Sequence, residues 1–161
     1  MHAALASIVS AWEGYVEAIT IEAIDTIANC SNAEVLLLTM LIKAEAKVAI
    51  AKFNTPTAEN CRGLLLRFTG FDAFPYMRSQ RLSLTAHLAR VRLNEILQVR
   101  HAFAHGYSVP AYSWTTRYGL KNRLTKNAVI QSSRLIDDFV SNIDSELAKH
   151  IKSAFPTRLA W

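Results

Sequence analysis

Arg100 and His105 stand five positions apart in the run Arg100-His101-Ala102-Phe103-Ala104-His105-Gly106-Tyr107, late in a long helical pattern. These two side-chain types can break a phosphodiester without a metal ion. An arginine holds a phosphate by charge and by a two-pronged hydrogen bond. A histidine titrates near neutrality and can take the proton of an attacking 2′-hydroxyl or return one to a leaving oxygen. His101 and His105, four apart on one helical face, also raise the question of a metal site. Two ligands are too few for one: no carboxylate follows His101 as a His-Glu-x-x-His site requires, and His87, on the same face, lies about 21 Å along the axis. The pattern therefore points to chemistry without a metal or other cofactor.

The charge around this run is uneven. Between Arg78 and Arg134 stand ten basic residues and one acid, Glu95, a balance of +9. The chain as a whole carries +5, so the remainder is net acidic. A basic half surrounding the Arg/His run is the electrostatic footprint of a face that meets a polyanion such as RNA. Within it, residues 107–127 break the helical pattern at Pro110 and Gly119 and mix Tyr112, Trp114 and Tyr118 with Arg117, Lys121 and Arg123. Such a loop can stack bases and hold phosphates, or it can cover a core.

The scaffold for these residues reads as all-α, an antiparallel bundle of four to five helices. At 161 residues with 51% hydrophobic content, five glycines and four prolines, the chain is long enough for one packed domain and unlike a disordered one. We place that domain at residues 1–152, with residues 153–161 as a loosely attached tail. Apolar residues recur at helical spacing over 3–28, where Trp12 is expected to anchor the core, and over 33–53, which is apolar nearly all round as a central helix would be. Ser31 or Asn32 is the expected N-cap of that second helix. A third helix is expected over 56–69, capped by Thr55 and closed by Gly70. After an aromatic loop over 71–77, a fourth runs over 79–105 and a fifth over 128–152.

The fourth helix carries the chemistry. At 100° per residue, Ser83, His87, Arg90, Asn94, Gln98, His101 and His105 fall in one arc of about 80° that holds no apolar residue. This stripe is expected to face a cleft, a partner or a second copy. Arg100 falls outside it, about 140° from His105 and beside Leu93 and Ile96. Either the helix loosens before Gly106, or a symmetric partner completes the pair. An arginine so placed needs an anion or carboxylate to meet it.

The apolar run from Val35 to Ile42 is too short to cross a bilayer and continues into Lys43, Glu45 and Lys47. No basic region precedes the first apolar stretch, which carries Glu13, Glu17 and Glu22, so neither a membrane span nor a signal peptide is expected. Cys30 and Cys61 match no metal-ligand spacing and read as reduced thiols of a cytoplasmic protein.

Taken together, Trp12-Glu13-Gly14-Tyr15-Val16-Glu17, the Pro56 to Gly70 segment, Leu93-Asn94, Arg100-His101 and Ala104-His105-Gly106 resemble the RiboL-PSP-HEPN type of the HEPN superfamily. The resemblance spans roughly residues 5–150. It implies a helical bundle that dimerises through the Arg/His helix and cuts RNA without metal, by attack of the 2′-hydroxyl to leave a 2′,3′-cyclic phosphate. By that analogy His105 is general base or acid, Arg100 holds the phosphate and His101 assists. Asn94, Arg90, Tyr107, Arg117, Lys121 and Arg123 are then the candidate RNA contacts. It further implies a toxin or antiviral effector, with an antitoxin or sensor protein as partner. The Arg, four residues, His, one residue, Tyr spacing resembles that of HEPN toxins modified on the tyrosine, which makes Tyr107 a candidate modification site. The alternative is a catalytically silent dimeric module that binds RNA, a nucleotide or a protein. In that case His105 serves only as favourable charge at a helix C-terminus.

Overall fold

The helix α1 (His2–Ala28) is the one around which the chain closes. It packs against each of the other four α-helices: α2 (Ala33–Ala51), α3 (Ala58–Thr69), α4 (Ala86–Ala104) and α5 (Lys126–Ala154). The computed structural model describes residues 1–28, 33–118 and 121–155. The fold is the expected all-α bundle. The expected N-cap of α2, Cys30, Gly119 and the tail beyond residue 155 lie outside the described residues.

Trp12 sits at the centre, fully buried, with its ring edge-on to Phe139 and stacked with Tyr15. Its indole N–H donates to the carbonyl of Pro56 at 3.1 Å, so the one polar atom of the largest core side chain is satisfied. Around it close Leu5, Val16, Leu65, Leu93, Ile96, Leu135, Ile143 and Leu147, all fully buried. Along α5, Val129, Ile136, Ile143, Leu147 and Ile151 are buried at helical spacing, with Val140 only half so. Cys61 is buried in the same core, and that burial pushes its thiol well above the ordinary range, leaving an unreactive group.

Each helix from α3 onward starts at a threonine. Thr57, Thr85 and Thr125 are extended N-caps whose hydroxyls accept from Asn60, Leu88 and Ala128 N–H. Two expected boundaries move for this reason. The α3 cap is Thr57 and not Thr55. The fourth helix begins at Ala86 and not at residue 79, because Ser79 and Leu84 pair across a tight turn in which Ser83 takes φ 55°. Ser83 therefore leaves the polar stripe. Within the expected aromatic loop, Phe74–Tyr76 form one 3-10 turn. Phe74 lies between the guanidiniums of Arg62 and Arg90, 4.7 and 4.2 Å from its centroid.

Two findings depart further from expectation. Two short strands, β1 (Thr116–Tyr118) and β2 (Lys121–Arg123), pair as an antiparallel hairpin, with Arg117 opposite Asn122. Helix α2 is not central. It packs on α1 and α3 through Thr39 and Ala46 and leaves Leu36, Leu37, Leu38, Met40, Leu41, Ile42 and Val48 exposed. Apolar residues on every side of a helix require burial, but not burial by the same chain. No helix among the described residues is long and apolar enough to cross a membrane.

Candidate active site at the end of α4

Helix α4 is held by Ala89, Leu93, Ile96, Leu97, Val99 and Ala102, buried against α1, α3 and α5. Its C-terminus closes in a Schellman motif. The Tyr107 N–H reaches back to Ala102 O at 2.8 Å and the Gly106 N–H to Phe103 O at 3.2 Å, with Gly106 at φ 69°. Glycine is the residue that adopts this left-handed turn without strain, and the crossed bonds satisfy two terminal carbonyls. The His2 ring, from the start of α1, stacks on Phe103 with centroids 3.3 Å apart and fastens the same end.

The polar stripe divides into a structural part and an open part. Arg90 donates to Phe74 O at 3.0 Å. Asn94 accepts the Ala58 N–H at the start of α3 and donates to Glu59. Gln98 receives the Tyr112 hydroxyl. Each of these three holds a different neighbouring segment in place. His87, in the first turn of α4, is exposed and makes no contact with another segment among the described residues, and the last turn is open as well. There the His101 and His105 rings lie 4.2 Å apart and the Tyr107 ring stacks 5.8 Å from His105, all three exposed to solvent. Tyr107, at 66%, is more exposed than any other large hydrophobic side chain among the described residues.

Arg100 sits on the other side of the same turn, half-buried. Among the described residues it has no hydrogen bond, ion pair or ring contact. The helical ladder is still intact at His105, whose N–H bonds His101 O at 3.1 Å, so the turn does not loosen to bring Arg100 round. The angle of about 140° between Arg100 and His105 remains. A guanidinium half out of water and unmatched by any acid is a seat for an anion.

The segment after Tyr107 is packed onto α4. The Trp114 indole N–H donates to Glu95 at 2.8 Å, Arg92 lies over the Trp114 ring and pairs with Glu95 at 3.4 Å, and Tyr112 stacks on Trp114. Burial draws the Arg92 guanidinium below its ordinary pKa, with Glu95 opposing the shift. Tyr112 and Trp114 are thereby committed to the fold. Asn122 of β2 donates to Val109 O at 3.2 Å, which ties the basic hairpin to the chain two residues past Tyr107. Arg123 is exposed on β2, while the side chains of Arg117 and Lys121 lie outside the described residues.

No three His, Cys, Asp or Glu side chains gather as a metal site among the described residues. The last turn of α4 offers instead a pair of neighbouring imidazoles, an exposed aromatic face and an unmatched arginine. The sequence signals Arg100, His101, His105 and Tyr107 directly. The clamp of Glu95 and Gln98 on Trp114 and Tyr112 gives no local signal, since it joins residues 14 to 19 apart across a loop.

Compared with known families, residues 1–149 match the family model described as RiboL-PSP-HEPN. No curated protein and no solved structure shows significant similarity to the chain.

Proposed function

Because this chain belongs to the RiboL-PSP-HEPN family, we propose that it is a metal-independent endoribonuclease whose reacting groups stand on the last turn of α4. His105 takes the proton of the ribose 2′-hydroxyl as that oxygen attacks the adjacent phosphorus. The P–O5′ bond breaks, the 5′-oxygen leaves with a proton supplied by a second acid, and a 2′,3′-cyclic phosphate remains. His101, whose ring centroid is 4.2 Å from that of His105, is that acid or orients the base. Arg100 holds the phosphate and its added charge in the transition state.

The observation that carries this reading is the division of the polar stripe: Arg90, Asn94 and Gln98 are occupied by the fold, while His101, His105 and Tyr107 are left open beside an unmatched Arg100. Since Arg100 and His105 lie on different sides of α4, a complete site takes one of them from a second copy across a two-fold axis at this helix. Tyr107 and the hairpin residues Arg117, Lys121 and Arg123 contact the RNA on either side of the cut, by stacking and by charge. The biological role is that of a cytoplasmic toxin or antiviral effector, held in check by an antitoxin or sensor partner, with Tyr107 exposed for modification.

The same angle between Arg100 and His105 supports a second reading, a silent RNA- or nucleotide-binding dimer. The two separate on cleavage of a mixed RNA pool by the purified full chain in EDTA, beside Arg100→Ala and His105→Ala, with product ends analysed. Cyclic phosphate ends that vanish in both variants establish the nuclease. RNA bound but left intact by the folded wild type establishes the binding module.

A further inference from the structure

We infer that the exposed apolar face of α2 is a docking surface for a second copy of this chain, distinct from the reactive end of α4. At 100° per residue, Thr39 and Ala46 fall within about 20° of one another and seat the helix on the bundle; both are buried. Ile50, near the C-terminal end, packs partly against the core, but the larger side chains before it point away. Leu36, Leu37, Leu38, Met40, Leu41 and Ile42 are 45–62% exposed, and Val48, 51% exposed, continues the face about two turns past Leu41. A helix that buries its small residues and shows its large ones is inverted for a chain that acts alone.

The extent of the face fits a protein interface. Seven half-exposed large side chains present roughly 700 Å2 of apolar surface, above the ~300–600 Å2 of the largest patch on a typical monomer and close to the ~800 Å2 that each partner gives to a standard interface. Its charge identifies the occupant. No ionisable residue lies between Leu36 and Ile42. The next two along the chain are already engaged, Lys43 by Asp25 and Glu45 by Arg67 at 3.4 Å. Helices that lie on lipid carry a basic polar face that meets the headgroups; across residues 36–48 Lys43 is paired with Asp25, and the exposed Lys47 is a single cation, too few for such a face. A partner of complementary charge would find nothing to read. A second copy brings the same uncharged surface, and a two-fold axis makes such a patch complementary to itself.

This inference does not rest on the ribonuclease reading, because α2 packs on α1 and α3 and contributes no residue to the candidate site. Combined with a two-fold contact at α4, it gives each chain two self-complementary faces, so that assembly can go beyond a dimer.

The test is the native mass of the full chain by light scattering over a concentration series, beside Leu37→Glu/Leu41→Glu and the control Ile130→Glu, an exposed apolar site on α5. The expected result is a wild type of two or more chains, a halved mass in the α2 variant with unchanged helical content, and an unchanged mass in the control. Amide exchange of wild-type residues 36–42 reads the same contact without substitution and should slow as concentration rises through assembly. A wild type that stays monomeric, an α2 variant of undiminished mass with intact helicity, or exchange at 36–42 that ignores concentration overturns the inference. So does a monomer that floats with vesicles of anionic phospholipid, which would make the face a lipid surface.

Discussion

The rings of His101 and His105 lie 4.2 Å apart, tilted by 46°, at the exposed last turn of α4. Such neighbours can divide the work of taking and giving a proton. If they do, His105→Ala lowers single-turnover RNA cleavage by about 10²–10⁴-fold and His101→Ala by a comparable or smaller factor, with the double variant no worse than the more damaging single. Arg100→Lys retains charge without the planar fork, so it restores only part of the rate lost in Arg100→Ala. Effects that multiply in the double variant would show that the histidines act independently.

Gly106 and Gly14 should respond to alanine with opposite signs. An added Cβ meets nothing within 4 Å at either position, but Gly106 is held at φ 69°. Gly106→Ala is expected to destabilise the protein by about 1 kcal/mol through the left-handed turn alone, a fall in Tm of roughly 2–4 °C. Gly14 lies inside α1, where alanine should stabilise by about 0.5–1 kcal/mol. Thermal unfolding of the two variants checks both, and a neutral Gly106→Ala would mean that the Schellman turn is not formed in solution.

Glu95 is the acid that joins α4 to the segment after the candidate site. Its removal strands two partly buried donors, the Trp114 indole N–H and the Arg92 guanidinium. Glu95→Ala is therefore expected to cost about 2–3 kcal/mol, and Glu95→Gln, which still accepts from Trp114, about half of that. Urea denaturation measures the difference; equal values for the two variants would show that the Arg92 charge, and not the Trp114 bond, dominates.

Tyr15 sets an alkaline limit. Burial first, and then the hydrogen bond its hydroxyl makes to Asp144 at 2.7 Å, push its pKa well above the ordinary 10.0. Below about pH 10 the phenol keeps its proton both folded and unfolded, and stability is unaffected. Above it the unfolded chain ionises while the native state does not, so stability falls by about 1.4 kcal/mol per pH unit. Tyr15→Phe should lose about 1–2 kcal/mol at neutral pH and show a shallower decline between pH 10 and 11. A decline as steep as that of the wild type would assign the alkaline limit to other groups.

The bundle is legible in the sequence where one segment's own pattern decides its state. The spans of α1 and α5, the burial of Trp12 and the left-handed Gly70 all follow from periodicity and from single residues with strong preferences. The chemistry-bearing side chains are legible for the same reason, as types at a spacing. The features that escape depend on pairs of distant segments. The start of α4 is hidden because residues 79–84 are as polar and helix-compatible as the helix itself, and only the Ser79–Leu84 pairing excludes them from it. Asn94 and Arg90 look free on a helical wheel because their partners, the Ala58 N–H and the Phe74 carbonyl, are backbone groups of other elements. The peripheral position of α2 is hidden because an all-apolar helix carries no mark of whether its cover comes from the same chain or from another.

The contact of α1 with all four other helices bears on how the molecule can be regulated. Two groups of helices cannot part without one of them giving up its contacts with the long first helix, so opening by subdomains costs part of the shared core. A segment appended to the bundle offers a cheaper point at which a signal can act on the reactive end. The contact of Asn122 with Val109 is such a place, a side-chain bond outside the helices that an inhibitor or activator could break or reinforce without displacing the histidines of α4.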